Sequence, residues 1–219
     1  MVKKLRTKFI INICLALFFV VCVIAPLISM LCRITPDGFE AVVKSSLFGA
    51  AVWNSISTSL VATIISLTLA LTAALCLKRT TIKLKAVFSM VFVVPMLIPS
   101  ISHAFGLVAL FGTNGFVTNL LNLNSNIYGF WGIVIGSVMY SFPVAFLMFS
   151  SILQYEDGMT YKAANVLGVP DFRRFIDITL PFLKKTIISA FFAVFTMVVT
   201  DYGVALMIGG KTTTLSVLM

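Results

Sequence analysis

Apolar residues fall into five long, continuous runs along the chain, at about 9–32, 50–77, 86–111, 130–153 and 186–208, each bounded by charge, glycine or proline. A hydrocarbon core of about 30 Å needs about 20 residues of helix, and each run is long enough to cross it. Transmembrane strands would instead show segments of about ten residues with alternating polarity, whereas these runs are unbroken. The pattern predicts an all-α, polytopic transmembrane helical bundle. It divides into an N-terminal span with its outer loop at 1–49 and a core at 50–219, which holds one long inner loop at 154–185.

Inside the second run Ser55, Ser59, Ala62, Ser66, Ala70 and Ala73 recur every three or four residues and so share one helical face. Small faces let membrane helices approach closely, which marks this helix as a central one. Pro95 and Pro99 in the third run and Pro143 in the fourth free backbone carbonyls that neighbours or a cavity must satisfy, so kinks are expected there. The uncharged segment 112–128 combines glycines and asparagines with Phe116, Val117, Leu120 and Leu121. It reads either as a short helix dipping into the outer interface or as an ordinary polar loop.

With 60% apolar and 11% charged residues, the composition excludes a soluble domain. The excess of 16 Lys and Arg over 7 Asp and Glu would suggest nucleic acid in a soluble chain, but here its location explains it. If the N-terminus is cytoplasmic, 13 of the 16 basic residues lie in inner segments and only Arg33, Lys44 and Lys211 lie outside. That asymmetry predicts an N-in, multi-pass protein of the inner membrane and needs no nucleic acid. Lys3, Lys4, Arg6 and Lys8 before the first run resemble a signal peptide, but an apolar stretch of about 24 residues exceeds a cleavable core and reads as an uncleaved span. Cys14, Cys22, Cys32 and Cys76 show no CxxC spacing and there is a single histidine, so neither a disulfide framework nor a metal site is expected.

The inner loop reads as folded. Asp157 or Thr160 can cap a short helix that stops at Gly168, where a glycine accepts positive φ. Pro170 and Asp171 suit the first turn of a second helix, on which Phe172, Phe175, Ile176 and Thr179 form one stripe. Pro181 then restarts the chain towards the fifth span. Two short helices presenting alanines and aromatics at a membrane surface have the shape of a partner-docking element.

The run Lys162-Ala163-Ala164-Asn165-Val166-Leu167-Gly168, followed by nine residues and then Ile178-Thr179-Leu180-Pro181, resembles the Ala-Ala/Gly/Ile-x-Leu-Pro loop of binding-protein-dependent ABC importer permeases of the type I fold. The resemblance implies that Lys162, Ala163, Ala164, Gly168, Phe172, Phe175, Ile178, Leu180 and Pro181 form a coupling element seated in a cleft of a cytoplasmic ABC ATPase dimer. It further implies a second permease copy or fused half, an extracytoplasmic solute-binding protein, and ATP on the ATPase with no cofactor on this chain. One departure is Lys162, which stands where the family usually has glutamate. Thr200-Asp201-Tyr202-Gly203-Val204 and Gly209-Gly210-Lys211 look most like the iron(III), 2-aminoethylphosphonate and polyamine branch, with the phosphonate group favoured. Family members continue with at least one further helix, so a fragment or the first part of a fused permease is expected.

Other signals are weak. Gly210-Lys211-Thr212 resembles the end of a P-loop, but an apolar span precedes it where a strand is needed. His103 has no titratable neighbour in its span, which favours a packing hydrogen bond over proton transfer, and no catalytic or metal-ligating constellation is predicted. Asp201, in or at the end of the fifth run, must be paired or face water. With Ser59 and Ser66 it is a candidate for lining a solute path. A secondary transporter or channel is the competing class, but it would couple through buried ions, and no run before the fifth contains a charge.

Overall fold

A computed structural model describes residues 2–33, 35–81, 83–122 and 127–219. Residues 123–126 of the 112–128 segment lie outside the described residues, as do the side chains of Lys3, Lys4 and Arg6. The chain forms two compact units, Met1–Phe48 and Gly49–Met219.

The first unit holds α1 (Val2–Phe19) and α2 (Ala25–Cys32), joined through a π-helical turn at Val20–Ile24, and then α3 (Pro36–Val43). Thr35 caps α3, its hydroxyl accepting from the Gly38 amide at 3.2 Å. The π turn ends two residues before Pro26. A proline lacks the amide of an α-helical bond and crowds the carbonyl four residues back, and a widened turn relieves both without ending the helix.

The second unit contains α4 (Phe48–Arg79), α5 (Lys85–Val93), α6 (Ser100–Phe111), α7 (Phe116–Leu120), α8 (Phe130–Leu153), α9 (Gly158–Val166), α10 (Asp171–Arg174), α11 (Leu180–Val199), α12 (Gly203–Ile208) and α13 (Leu215–Leu218). The helical bundle is as expected, and α7 gives 112–128 its short helix. Three expectations about the spans need correction. The third run is not one helix over 86–111. After α5 the chain tightens to a 3₁₀ turn at Val94–Leu97, and Ile98 is extended (φ −98°, ψ 131°) before α6 begins at Ser100. Pro99 drives its predecessor out of the helical region, which makes a break where a kink was expected.

The fifth run is likewise not one helix over 186–208. Asp171–Val199 is continuous through a π turn at Phe175–Thr179, so Pro181 restarts nothing, and the break falls later, at Thr200–Tyr202. The π turn again lies just before its proline.

The central helix of the unit is α8, not α4. Phe146, Phe149 and Leu153 of α8 are fully buried with Leu183 and Val194 of α11 and Ile208 of α12, and α8 runs uninterrupted through a buried Pro143. On α4 the buried residues are all small or hydroxyl-bearing, Ser55, Ser59, Ala62, Ser66, Ala70 and Ala74 with Ala51, Thr58 and Thr63 beside them, while Trp53, Leu60, Ile64 and Leu69 are exposed. Ala74 replaces Ala73 on that face because it follows Ala70 by four residues. Close approach also governs α8 against α12. A Cβ added at Gly136 would lie 2.7 Å from a methyl of Val204, and one at Gly132 would lie 2.3 Å from a methyl of Ile208. Two glycines four apart thus receive two branched side chains four apart.

Candidate functional site

The loop that joins α8 to α11 is built by local chemistry. Asp157 caps α9, its carboxylate accepting from the Met159 amide at 2.9 Å. At the other end Gly168 has φ +67°, and the Gly168 and Val169 amides donate to the Asn165 and Ala164 carbonyls, the paired bonds of a glycine-terminated helix. Nothing lies within 4 Å of a Cβ built at Gly168, so backbone angle rather than space within this chain calls for glycine there. Pro170 stands just before α10 rather than inside it. Arg174 pairs with Asp171 and donates to the Asn165 side chain, which ties α10 to α9.

The predicted docking residues divide by exposure. Lys162, Ala163, Gly168, Phe172, Leu180 and Pro181 are exposed, Phe175 and Ile178 are half-buried, and Ala164 is buried. Of the paired alanines, Ala163 therefore faces out and Ala164 in. The single stripe expected of Phe172, Phe175, Ile176 and Thr179 does not form. The π turn changes the angular step between them, so that Phe172 is 76% exposed while Thr179 is fully buried. The outward apolar surface is instead Met159, Val166, Leu167 and Phe172.

Sequence reasoning missed the group that fastens this loop to the bundle. Arg79, the last residue of α4, donates to the Tyr161 hydroxyl of α9 and to the Thr179 hydroxyl of the π turn, and those two hydroxyls bond each other. Its guanidinium stacks 4.5 Å from the centre of the Tyr161 ring. It lies 3.5 Å from the carboxylate of Glu156, whose side chain is only 7% exposed. The signal available was slight: a cation at one span end and an acid just past the end of another.

The opposite end of α4 is polar as well. Asn54 donates to the Thr213 carbonyl at 3.0 Å, and the Ser55 hydroxyl accepts from the Leu215 amide at 2.7 Å. The Ser216 hydroxyl donates to the Asp201 carbonyl at 2.8 Å. Asp201 lies at the break between α11 and α12, half-buried, and its carboxylate accepts from the Val204 amide at 2.9 Å. A cleft of about 430 Å³, lined by Met96, Ser100, Tyr140, Asp201 and Tyr202, opens where this break and the break at Ile98–Pro99 face each other.

Ser59 and Asp201 both line a smaller cavity of about 10 Å³, room for one water. Ser66 is fully buried with its hydroxyl 2.8 Å from that of Ser141. Ser59 and Ser66 thus lie within the packed bundle, and Asp201 alone of the three borders the larger cleft. The His103 ring meets the Pro99 carbonyl at 3.3 Å, a contact within its own helix. Gly210-Lys211-Thr212 follows α12 and not a strand.

A multi-pass helical membrane domain with a folded loop at one end and two facing helix breaks towards the other defines a transport-type membrane component. The chain belongs to the family of binding-protein-dependent transport system inner membrane components, which it matches over residues 66–219. It is 27% identical over 169 residues to a spermidine/putrescine transport system permease protein homolog of Mycoplasma genitalium, covering 77% of this chain and 57% of that protein. It is 24% identical over 125 residues to a ferric transport system permease protein of Actinobacillus pleuropneumoniae, covering 54% of this chain and 18% of that one. Other relatives are named for thiamine and for molybdenum transport. The chain thus spans from about a fifth to rather more than half of the polyamine and ferric relatives' lengths. The fold matches a chain of a bacterial ABC transporter that imports the acidic polysaccharide alginate, with TM-score 0.71 at 17% identity, covering 99% of this chain and 81% of that one.

Proposed function

We propose that this chain is a transmembrane permease subunit of an ATP-driven ABC importer. Its N-terminus is cytoplasmic, and a cytoplasmic ATPase dimer receives the 154–185 loop. The observation that carries the reading is the placement of the Lys162 to Pro181 motif on a rigidly capped loop whose Val166, Leu167 and Phe172 side chains are 88%, 78% and 76% exposed. Apolar side chains so exposed at the end of a bundle are stabilised by a partner's groove. ATP is bound and hydrolysed on that partner. Movement of the loop shifts the bundle between inward and outward access, a second permease copy or fused half completes the path, and an extracytoplasmic binding protein delivers the solute.

The cargo we propose is iron(III) first, supported by the ferric relative, with 2-aminoethylphosphonate second on the likeness of 154–182 and 200–215 to that branch. Polyamines come third. Asp201 at the mouth of the cleft suits a cationic cargo and disfavours an anionic one that approaches it unshielded.

Two measurements test the reading. Ala163→Trp and Val166→Asp, both at exposed positions, should abolish co-purification of the ATPase while leaving membrane insertion normal. Retention of the ATPase by both variants would overturn the docking role. The affinity of the cognate binding protein for iron(III), 2-aminoethylphosphonate and spermidine decides the cargo, and tight binding of only the phosphonate would reverse the order given.

A further inference from the structure

We infer that Arg79 is the positioning residue through which the loop and the second span move as one body, an inference that rests on the importer reading above. Four observations converge on this side chain. It donates to Tyr161 on α9 and to Thr179 in the π turn, so both arms of the loop are held by one guanidinium. It stacks on the Tyr161 ring, which fixes the plane of the guanidinium. It is the cation nearest the buried Glu156 carboxylate at the α8 exit, and without it that charge would be left uncompensated. Finally, it is the last residue of α4, where the helix dipole favours a cation.

The consequence is mechanical. From Ser55 to Arg79 α4 is an uninterrupted helix about 36 Å long at 1.5 Å per residue. Its far end hydrogen-bonds Thr213 and Leu215, next to the Ser216 side chain that bonds the Asp201 backbone. A displacement imposed on the loop is therefore passed by Arg79 to a rod whose other end touches the segment beside the cleft. Apolar contact alone would let the loop slide over the end of α4, whereas one guanidinium nitrogen that donates to hydroxyls on both arms of the loop and faces the Glu156 carboxylate does not.

The test uses the full-length protein purified with its ATPase and reconstituted in lipid nanodiscs, with Cys14, Cys22, Cys32 and Cys76 changed to serine. Tyr202→Cys, at the half-exposed mouth of the cleft, reports through its rate of reaction with a maleimide, measured with and without ATP and vanadate. Tyr161→Phe with Thr179→Val removes the hydroxyl acceptors but keeps the ring and the Glu156 pair. That double variant should retain the ATPase, while the nucleotide-dependent change in labelling rate falls by about fivefold for each hydrogen bond removed. Arg79→Lys, which keeps the charge but not the planar group stacked on the Tyr161 ring, should behave in the same way. An unchanged nucleotide response in both would overturn the inference. A lack of any nucleotide response in the otherwise unaltered complex would instead overturn the importer reading itself, so the two failures are distinct.

Discussion

Gly132→Ala adds a single methyl group where α8 begins, and the structure sets its cost. The new Cβ would stand 1.8 Å from the Ile127 carbonyl oxygen and 2.3 Å from a methyl of Ile208. An ordinary contact begins at 3.4 Å, so the Ile127 carbonyl must retreat by about 1.6 Å. That carbonyl is backbone, and it lies two residues before Gly129, whose amide donates to the Ile208 carbonyl at 2.8 Å. Relief therefore pulls on the bond that docks α12 onto the start of α8. Overpacking of this kind costs about 1–3 kcal/mol, and a clash with backbone belongs at the upper end. For a chain of this size about 3 kcal/mol lowers the thermal midpoint by roughly 6–12 °C. Gly106→Ala in the middle of α6 is the internal control: nothing lies within 4 Å of its Cβ, and loss of glycine from a helix interior stabilises by about 0.5–1 kcal/mol. Detergent-solubilised protein followed by Trp131 fluorescence reports both, since Trp131 is adjacent to the altered position. A Gly132→Ala midpoint equal to or above that of Gly106→Ala would refute the close-approach argument.

Ser66→Ala and Ser141→Ala each strand one buried hydroxyl and should each cost about 1 kcal/mol, while the double variant costs less than their sum, as read by unfolding in mixed micelles. Asp157→Ala removes the cap of α9 and should destabilise the loop helix by about 1 kcal/mol, visible as faster hydrogen exchange over 158–166 with the spans unaffected. Cysteines placed at 162 or 173 should resist a membrane-impermeant reagent in intact cells, and labelling of either from outside would invert the topology derived from the basic residues. Lys162→Glu should weaken ATPase association, because a lysine at the head of the motif suits an acidic or neutral acceptor on the partner. A tighter complex would show that the family's usual acid was acceptable after all.

The first, second and fourth spans were legible because continuous apolar runs of span length have few other solutions. So was the inner loop's first helix, since Asp157 and Gly168 are end signals whose chemistry is local. What the sequence hid depends on partners distant along the chain. Arg79, Glu156, Tyr161 and Thr179 are 77, 5 and 18 residues apart in succession, and nothing local to any one of them points to the others. Exposure within the Ala163-Ala164 pair was equally hidden, because only the packed loop decides which methyl faces inward.

The prolines show why the runs misled about helix continuity. All remove an amide, but the outcome depends on what the neighbouring backbone can do. Pro26 and Pro181 each follow a π turn, which takes up the crowding one turn earlier and lets the helix continue. Pro143 is absorbed within the most buried helix, where packing from α11 and α12 holds both sides in line. Pro99 comes four residues after Pro95, so two amides are lost within one turn; with Ile98 already pushed to extended angles, the helix ends. The other break needs no proline. At Thr200–Tyr202 the chain leaves α11, the Asp201 carboxylate takes up the Val204 amide, and Gly203 comes so close to Ser100 that a Cβ there would lie 2.8 Å from its hydroxyl. The two interruptions are thus seated on each other, one made by ring sterics and one by a side-chain cap, and it is their contact that lines the cleft beside Asp201.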